Sequence, residues 1–329
     1  MSAADQNANP QEGSPVPERS GVSHLEGIGE GVEFRCGYVA LIGNPNVGKS
    51  TLLNTFLNRK ISIVTPKPQT TRRKVVGLLS TDNYQVVFLD TPGIIKPKYL
   101  LQQAMMGAAD SAAADADLVL FMMDATRMKG DLTVDLGGLL KRFQALHSPA
   151  YLIINKVDII RKPDLLPMIA AASRMHPFKE IFPVSALKHE GTEQLLASIV
   201  KVLPVHPPFY PLDIVSEQSE RFFIGEIIRE KIFLYCQEEV PYSTEAAVTG
   251  FQEQEGGKTV ITADIYVTRD SQRGILIGKQ GAMLKQIGSA ARRDIEAFLD
   301  RPVYLDLRVR TLEGWRDKKQ SLENLGYKA

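Results

Sequence analysis

Gly43-Asn44-Pro45-Asn46-Val47-Gly48-Lys49-Ser50 is a full match to G-x-x-x-x-G-K-[ST], and no other stretch constrains this chain as much. Such a loop works only between a buried strand and a helix. The apolar run Tyr38-Val39-Ala40-Leu41-Ile42 supplies the strand. Thr51-Leu52-Leu53-Asn54-Thr55-Phe56-Leu57 reads as a helix with one apolar face. The glycines let the backbone close into a nest of N–H groups aimed at phosphate oxygens. The helix adds its positive N-terminal end. Lys49 is then placed for β- and γ-phosphates, and Ser50 for a magnesium ion.

The base is read elsewhere. Asn155-Lys156-Val157-Asp158 follows a second apolar run, Tyr151-Leu152-Ile153-Ile154, so it falls at the carboxyl end of another strand. Asp158 can accept from N1–H and the N2 amine of guanine. Facing adenine, the same carboxylate would be left unpaired. The Lys156 stem can lie over the ring, and Asn155 can tie this loop to the phosphate-binding loop at 43–50. Ser185-Ala186-Leu187 follows the strand-like run Glu180-Ile181-Phe182-Pro183-Val184 and brings the Ala186 N–H toward guanine O6. GTP and GDP are therefore the expected ligands.

Asp90-Thr91-Pro92-Gly93 ends the run Gln85-Val86-Val87-Phe88-Leu89. Asp90 is expected to hold magnesium, usually through water, and the Gly93 N–H to sense the γ-phosphate. Between these motifs, Thr65-Pro66-Lys67-Pro68-Gln69-Thr70-Thr71-Arg72-Arg73-Lys74 has two prolines and no periodicity. It reads as a loop that orders around γ-phosphate and magnesium. Thr71 is expected to bring the second magnesium hydroxyl, with Thr70 the alternative.

With its motifs in this order, the chain resembles a translation-factor-type GTPase. In Ras-like GTPases a glutamine after D-x-x-G positions the attacking water. Here that residue is Ile94. Slow intrinsic turnover follows, with help expected from an ion, another loop or a partner. Asn46 stands where potassium-activated GTPases of this broad class place an asparagine ligand, which makes K+ the expected ion.

At 329 residues the chain is expected to hold two domains. Net charge of +1 says nothing by itself about a polyanionic partner. Residues 1–37 carry two Arg and no Lys against six acids, and residues 1–36 read as a disordered acidic tail without signal or transit character. No run of 18 uncharged apolar residues occurs. Cys36 and Cys236 are isolated, without metal or redox spacing, and read as reduced thiols.

From 37 to 203, five strand-like runs alternate with helical patterns, which argues a mostly parallel α/β sheet with helices on both faces. A further strand near 73–80 is expected antiparallel at the edge. Residues 204–212, with four prolines in the eight residues 204–211, read as a stiff linker. From 213 to 329 the order is helix, two strands joined at Gly256-Gly257, a short helix, a loop, a helix, a strand and a closing helix over 313–325.

Gly274-Ile275-Leu276-Ile277-Gly278-Lys279-Gln280-Gly281 resembles the G-x-x-G loop of a KH domain, whose glycines admit a single-stranded sugar-phosphate backbone. The α-β-β-α-α-β order is that of the prokaryotic type. Residues 269–319 carry 12 Lys/Arg and 7 Asp/Glu, a local +5, while residues 221–268 carry 4 and 8, a local −4. One half of this domain is basic, as a phosphate-tracking surface requires. Gly274, Ile277, Gly278, Lys279, Gln280, Gly281 and Lys285 are the expected RNA contacts.

P-Q-T-T-R, D-T-P-G, the proline linker and the C-terminal KH pattern together resemble the bacterial Era GTPase family, from Gly37 to Tyr327. The resemblance implies a monomer that binds the 3′ end of small-subunit ribosomal RNA in its GTP state. It implies a role in maturation and assembly of the small ribosomal subunit, in the cytoplasm and peripherally at the inner membrane. It implies Lys49, Thr71, Gly93 and Asn46 as the catalytic set. A second reading stays open: an RNA-binding assembly module in which nucleotide mainly sets conformation.

Overall fold

The computed structural model describes residues 33–127, 132–254 and 257–328. Most of the expected acidic tail and Gly256 lie outside them. The first half is built on β1 (Arg35–Gly43), α1 (Lys49–Leu57), β2 (Val75–Ser80), β3 (Tyr84–Asp90), α2 (Leu100–Asp115), β4 (Leu118–Asp124), α3 (Leu132–Arg142), β5 (Ala150–Asn155), α4 (Lys162–Met175), β6 (Glu180–Val184) and α5 (Thr192–Val202). Their sheet has the order β2-β3-β1-β4-β5-β6. Only β2 is antiparallel.

Strand period decides the layers. Val39, Leu41, Phe88, Leu120 and Ile153 point to one face, where α1 residues Leu52 and Leu53 and α5 residues Leu195 and Ile199 cover them. Ala40, Ile42, Leu89, Phe121 and Ile154 point to the other, under α2, α3 and α4. The register pairs Leu41 with Asp90, Gly43 with Met122, Asp124 with Asn155, and Asn155 with Val184. The motif residues thus share one sheet edge, at the carboxyl ends of the strands, where open α/β sheets bind ligands.

The proline-rich segment is extended but not free. The Cys36 amide donates to Pro204 O and the His206 amide to Phe34 O. Phe209 stacks on Tyr38 at 5.1 Å, and Gln85 Oε1 accepts the Phe209 and Tyr210 amides. Prolines cannot donate, so their carbonyls and the neighbouring amides bond to the strand edge instead.

The second half comprises α6 (Glu220–Tyr235), β7 (Thr244–Glu253), β8 (Thr259–Val267), α7 (Asp270–Ile277), α8 (Ala282–Leu299), β9 (Val303–Thr311) and α9 (Lys319–Asn324). β8 pairs antiparallel with β7 and parallel with β9. Ile228 and Ile232 of α6 and Ile287 and Ile295 of α8 pack on Ile261, Ala263 and Ile265 of β8. The closing helix expected over 313–325 is broken. A 3-10 turn at Trp315–Asp317 precedes α9, and Lys318 between them is extended. The break lets the Trp315 indole N–H reach Ser243 O at 3.1 Å while its ring joins Leu101, Met105 and Tyr327. Among the described residues, no helix is long and apolar enough to cross a membrane.

Candidate functional site

A cavity of about 510 Å³ opens at the shared strand edge. Its wall includes Pro45, Asn46, Gly48, Lys49, Ser50 and Thr51 from the loop and α1, Thr65, Pro66, Thr70 and Thr71, then Gly93, Arg127 and Lys156. Gly48 has φ +101°, and a Cβ there would lie 2.2 Å from Asn155 Nδ2. At Gly93 a Cβ would come within 2.7 Å of the Pro45 backbone. Both glycines are therefore required by close approach.

Lys49 is buried, and its ammonium bonds the Gly43 and Asn44 carbonyls, each at 3.2 Å. Burial lowers it to about 8, with Asp90 pulling the other way. Asp90 is fully buried, and burial outweighs Lys49 and the hydroxyls of Ser50 and Ser62 to raise its carboxyl above the usual range. The Asp90 Oδ2 accepts from Ser50 and from Ser62, both at 2.6 Å, while Oδ1 has no hydrogen-bond partner among the described residues. Thr71 Oγ1 lies 3.0 Å from Ser50 Oγ. Thr70 turns instead to Lys67 O and Thr65 Oγ1. Two hydroxyls and an unpartnered buried carboxylate oxygen form a hard oxygen set that suits magnesium.

The base side is more open. Asn155 Nδ2 donates to Val47 O at 2.7 Å and ties the two loops as expected from the sequence. The Ala186 amide, expected to be free for guanine O6, donates to Asn155 Oδ1 at 2.9 Å. Thr91, expected with the rest of Asp90-Thr91-Pro92-Gly93 at the nucleotide, turns its hydroxyl inward to Leu41 O at 2.6 Å. Asp158 is exposed, as is Leu187, and Ser185 is buried behind them. Lys156 donates to Asn46 O at 2.7 Å and to Asp124 at 2.6 Å. Burial would raise the Asp124 carboxyl, but Lys156 and Thr126 outweigh it and hold it below the usual range.

Three of these residues escape sequence reading. Ser62 lies in an apolar stretch and is brought to Asp90 because Asn54 Oδ1 accepts the amides of Ile61 and Ser62. Arg127 follows a strand end with no motif. Asp124 did leave a signal: like Asp90, it is an acid that closes an apolar run.

In the second half, Gly278 has φ +73°, and a Cβ there would meet Met283 at 2.8 Å. Gln280 and Gly281 also have positive φ, at 50° and 78°. The chain thus turns sharply out of α7 and into α8, with Lys279, Gln280 and Lys285 exposed and Ile275 55% exposed beside them. Gly274 sits on α7 with open space around it, and Ile277 packs partly into the core.

Comparison with known proteins finds two families in the chain. Residues 38–156 match the family described as 50S ribosome-binding GTPase, and residues 239–316 match the KH domain. The GTPase Era of Lacticaseibacillus paracasei is 45% identical over 90% of this chain and 97% of its own length. The chain belongs to the Era GTPase family. The GTPase Era of Geobacter metallireducens is 46% identical over 89% of this chain and 98% of its own. An Aquifex aeolicus Era variant bound to GDP and AlF4− superposes with a TM-score of 0.86, at 38% identity over 90% of this chain and all of that one. An Era complex with MgGDPNP and nucleotides 1506–1542 of 16S ribosomal RNA gives the same TM-score, identity and coverage. As an Era-family GTPase, the chain combines a nucleotide site with an RNA-binding domain in one compact unit spanning Glu33–Ala329.

Proposed function

We propose that this Era-family GTPase binds and hydrolyses GTP, captures the 3′ end of small-subunit ribosomal RNA through the loop at 278–281, and acts in maturation and assembly of the small subunit. The carrying observation is that the segment 65–74 lines the nucleotide cavity on one side and bonds to α6 and β7 on the other. Support for the RNA comes from the Era relative solved with both MgGDPNP and 16S ribosomal RNA. One family description names the large subunit. The KH loop and that complex favour the small one.

In this reading Lys49 sheds its two carbonyl contacts and spreads charge over the β- and γ-phosphates. Magnesium, when bound, would supply positive charge to offset that of the phosphates. Ser50 and Thr71 would hold it through their hydroxyl oxygens, and Asp90 would orient Ser50 and hold the ion through water. The Gly93 amide meets the γ-phosphate. Asp158 accepts from guanine, and Lys156, fixed by Asp124, covers the ring. Ile94 cannot orient water, so Asn46 would hold a potassium ion whose charge would stabilise the transition state. Gly278, Lys279, Gln280, Gly281 and Lys285 track the RNA backbone, with Gly274 and Ile277 beside them. Resemblance to Era proteins supports the further reading of a cytoplasmic monomer in peripheral contact with the inner membrane.

The test is a crosslinking map of small-subunit RNA with and without a GTP analogue. Crosslinks at the RNA 3′ end that require the analogue and converge on 274–285 are expected. Crosslinks independent of nucleotide, or centred elsewhere, overturn the reading.

A further inference from the structure

We propose that Glu245, in the RNA-binding half, is a positioning residue of the nucleotide site and acts through Arg72 on Thr71. The inference rests on the reading of Thr71 as the magnesium-side hydroxyl.

Arg72 is buried among groups of the second half. Its guanidinium donates to Glu245 Oε2 at 3.0 Å, to Thr244 O at 2.5 Å and to Pro241 O at 2.8 Å, and lies 5.7 Å from the Phe233 ring centre. Glu245 is 1% exposed and fully engaged. Its Oε1 takes Arg73 at 3.0 Å, and its Oε2 also accepts the Tyr327 hydroxyl at 2.7 Å. Burial would raise this carboxyl, but Arg73, Arg72 and Arg229 more than offset it and hold it ionised. A buried, charge-assisted anchor of this kind is strong and directional.

Thr71 is the next residue, one Cα step of about 3.8 Å away. Its hydroxyl bonds Ser50 Oγ at 3.0 Å, and Ser50 bonds Asp90. The stretch from Gln69 to Arg73 has no helix or strand to hold it. Thr71 is therefore held between the metal-side hydroxyls and the Arg72 anchor. Lys67 repeats the arrangement five residues earlier, bonding the Phe233 and Cys236 carbonyls at the end of α6. The RNA-binding half thus braces the segment that walls the cavity beside Thr71, and a change in its docking reaches Thr71 through one peptide unit.

The experiment uses the full chain and four variants: Arg72→Gln, Arg72→Lys, Glu245→Gln and Thr71→Ala. Dissociation rates of fluorescent GMPPNP and fluorescent GDP are measured in magnesium and in EDTA. In that reading Thr71 serves only the triphosphate state, so Arg72→Gln and Glu245→Gln should speed GMPPNP release about tenfold in magnesium, as Thr71→Ala should, and leave GDP release within about twofold. Arg72→Lys keeps the charge but not the fork, and should give a smaller loss of the same kind. It also carries the test should Glu245→Gln not fold. Equal acceleration of GMPPNP and GDP release would reduce the cluster to a structural brace and overturn the inference. So would unchanged release in the Arg72 variants alongside fast release from Thr71→Ala. If Thr71→Ala itself is silent, the metal-site reading of Thr71 fails first and the inference falls with it.

Discussion

Lys49 should take up a proton when nucleotide binds. In the empty site burial lowers its ammonium to about 8, against about 10.4 for an exposed lysine. Phosphate oxygens favour the charged form and return it above the working range. At pH 8 the empty site is then half protonated and the filled site fully so, a net uptake of about half a proton. The sign follows from the direction of the shift. A depressed lysine loses its proton as pH rises through about 8, so affinity is flat below pH 7 and falls above it. The charged fraction drops from about 0.9 at pH 7 to about 0.24 at pH 8.5, a roughly fourfold loss of affinity for Mg·GDP. Calorimetric titration at pH 8 in buffers of different ionisation enthalpy reads the uptake as a slope. A slope of zero at pH 8, or the same slope at pH 6.5, would refute the argument from burial.

Asp158→Asn should weaken guanine nucleotide binding on the order of a hundredfold and admit xanthine nucleotides, whose C2 carbonyl suits an amide donor; unchanged selectivity in competition would remove Asp158 from the base site. Lys279→Asp combined with Gln280→Asp should cost at least about tenfold in RNA affinity by filter binding, because two acids repel the phosphate chain, and should leave basal GTP hydrolysis within about twofold. At equal ionic strength, hydrolysis should be faster in potassium than in sodium, and Asn46→Ala should erase the difference; a potassium effect that survives the substitution assigns the ion to other groups.

The nucleotide site is legible in sequence because its parts are local. The loop at 43–50, Asp90 and Asn155 each sit at a strand end, and parallel register alone gathers strand ends on one edge. What sequence could not show depends on partners far along the chain. Ser62 and Asp90 are 28 positions apart, and Arg72 and Glu245 are 173 apart. Read alone, Arg72-Arg73-Lys74 is a basic surface run, and Glu245 is an acid in a strand. Their burial is a property of the joined halves. The closing helix was misjudged for a similar reason: its helical pattern is real, but burying Trp315 outweighs continuity at Lys318. The bonds of the proline-rich segment to β1 and Gln85 depend on an edge that composition does not reveal.

Trp315 is the sole tryptophan of the chain. It lies fully buried against α2, in the cluster that also takes in Ile94 and Ile95 directly after Gly93. The protein therefore carries its own optical probe at the seam between nucleotide response and RNA-binding half. Indole emission is sensitive to wetting, so a shift in its wavelength during a single turnover would time the parting of that seam without any added label. Stopped-flow records of that signal, set beside phosphate release, would tell whether the seam parts before or after the bond to the γ-phosphate is cut.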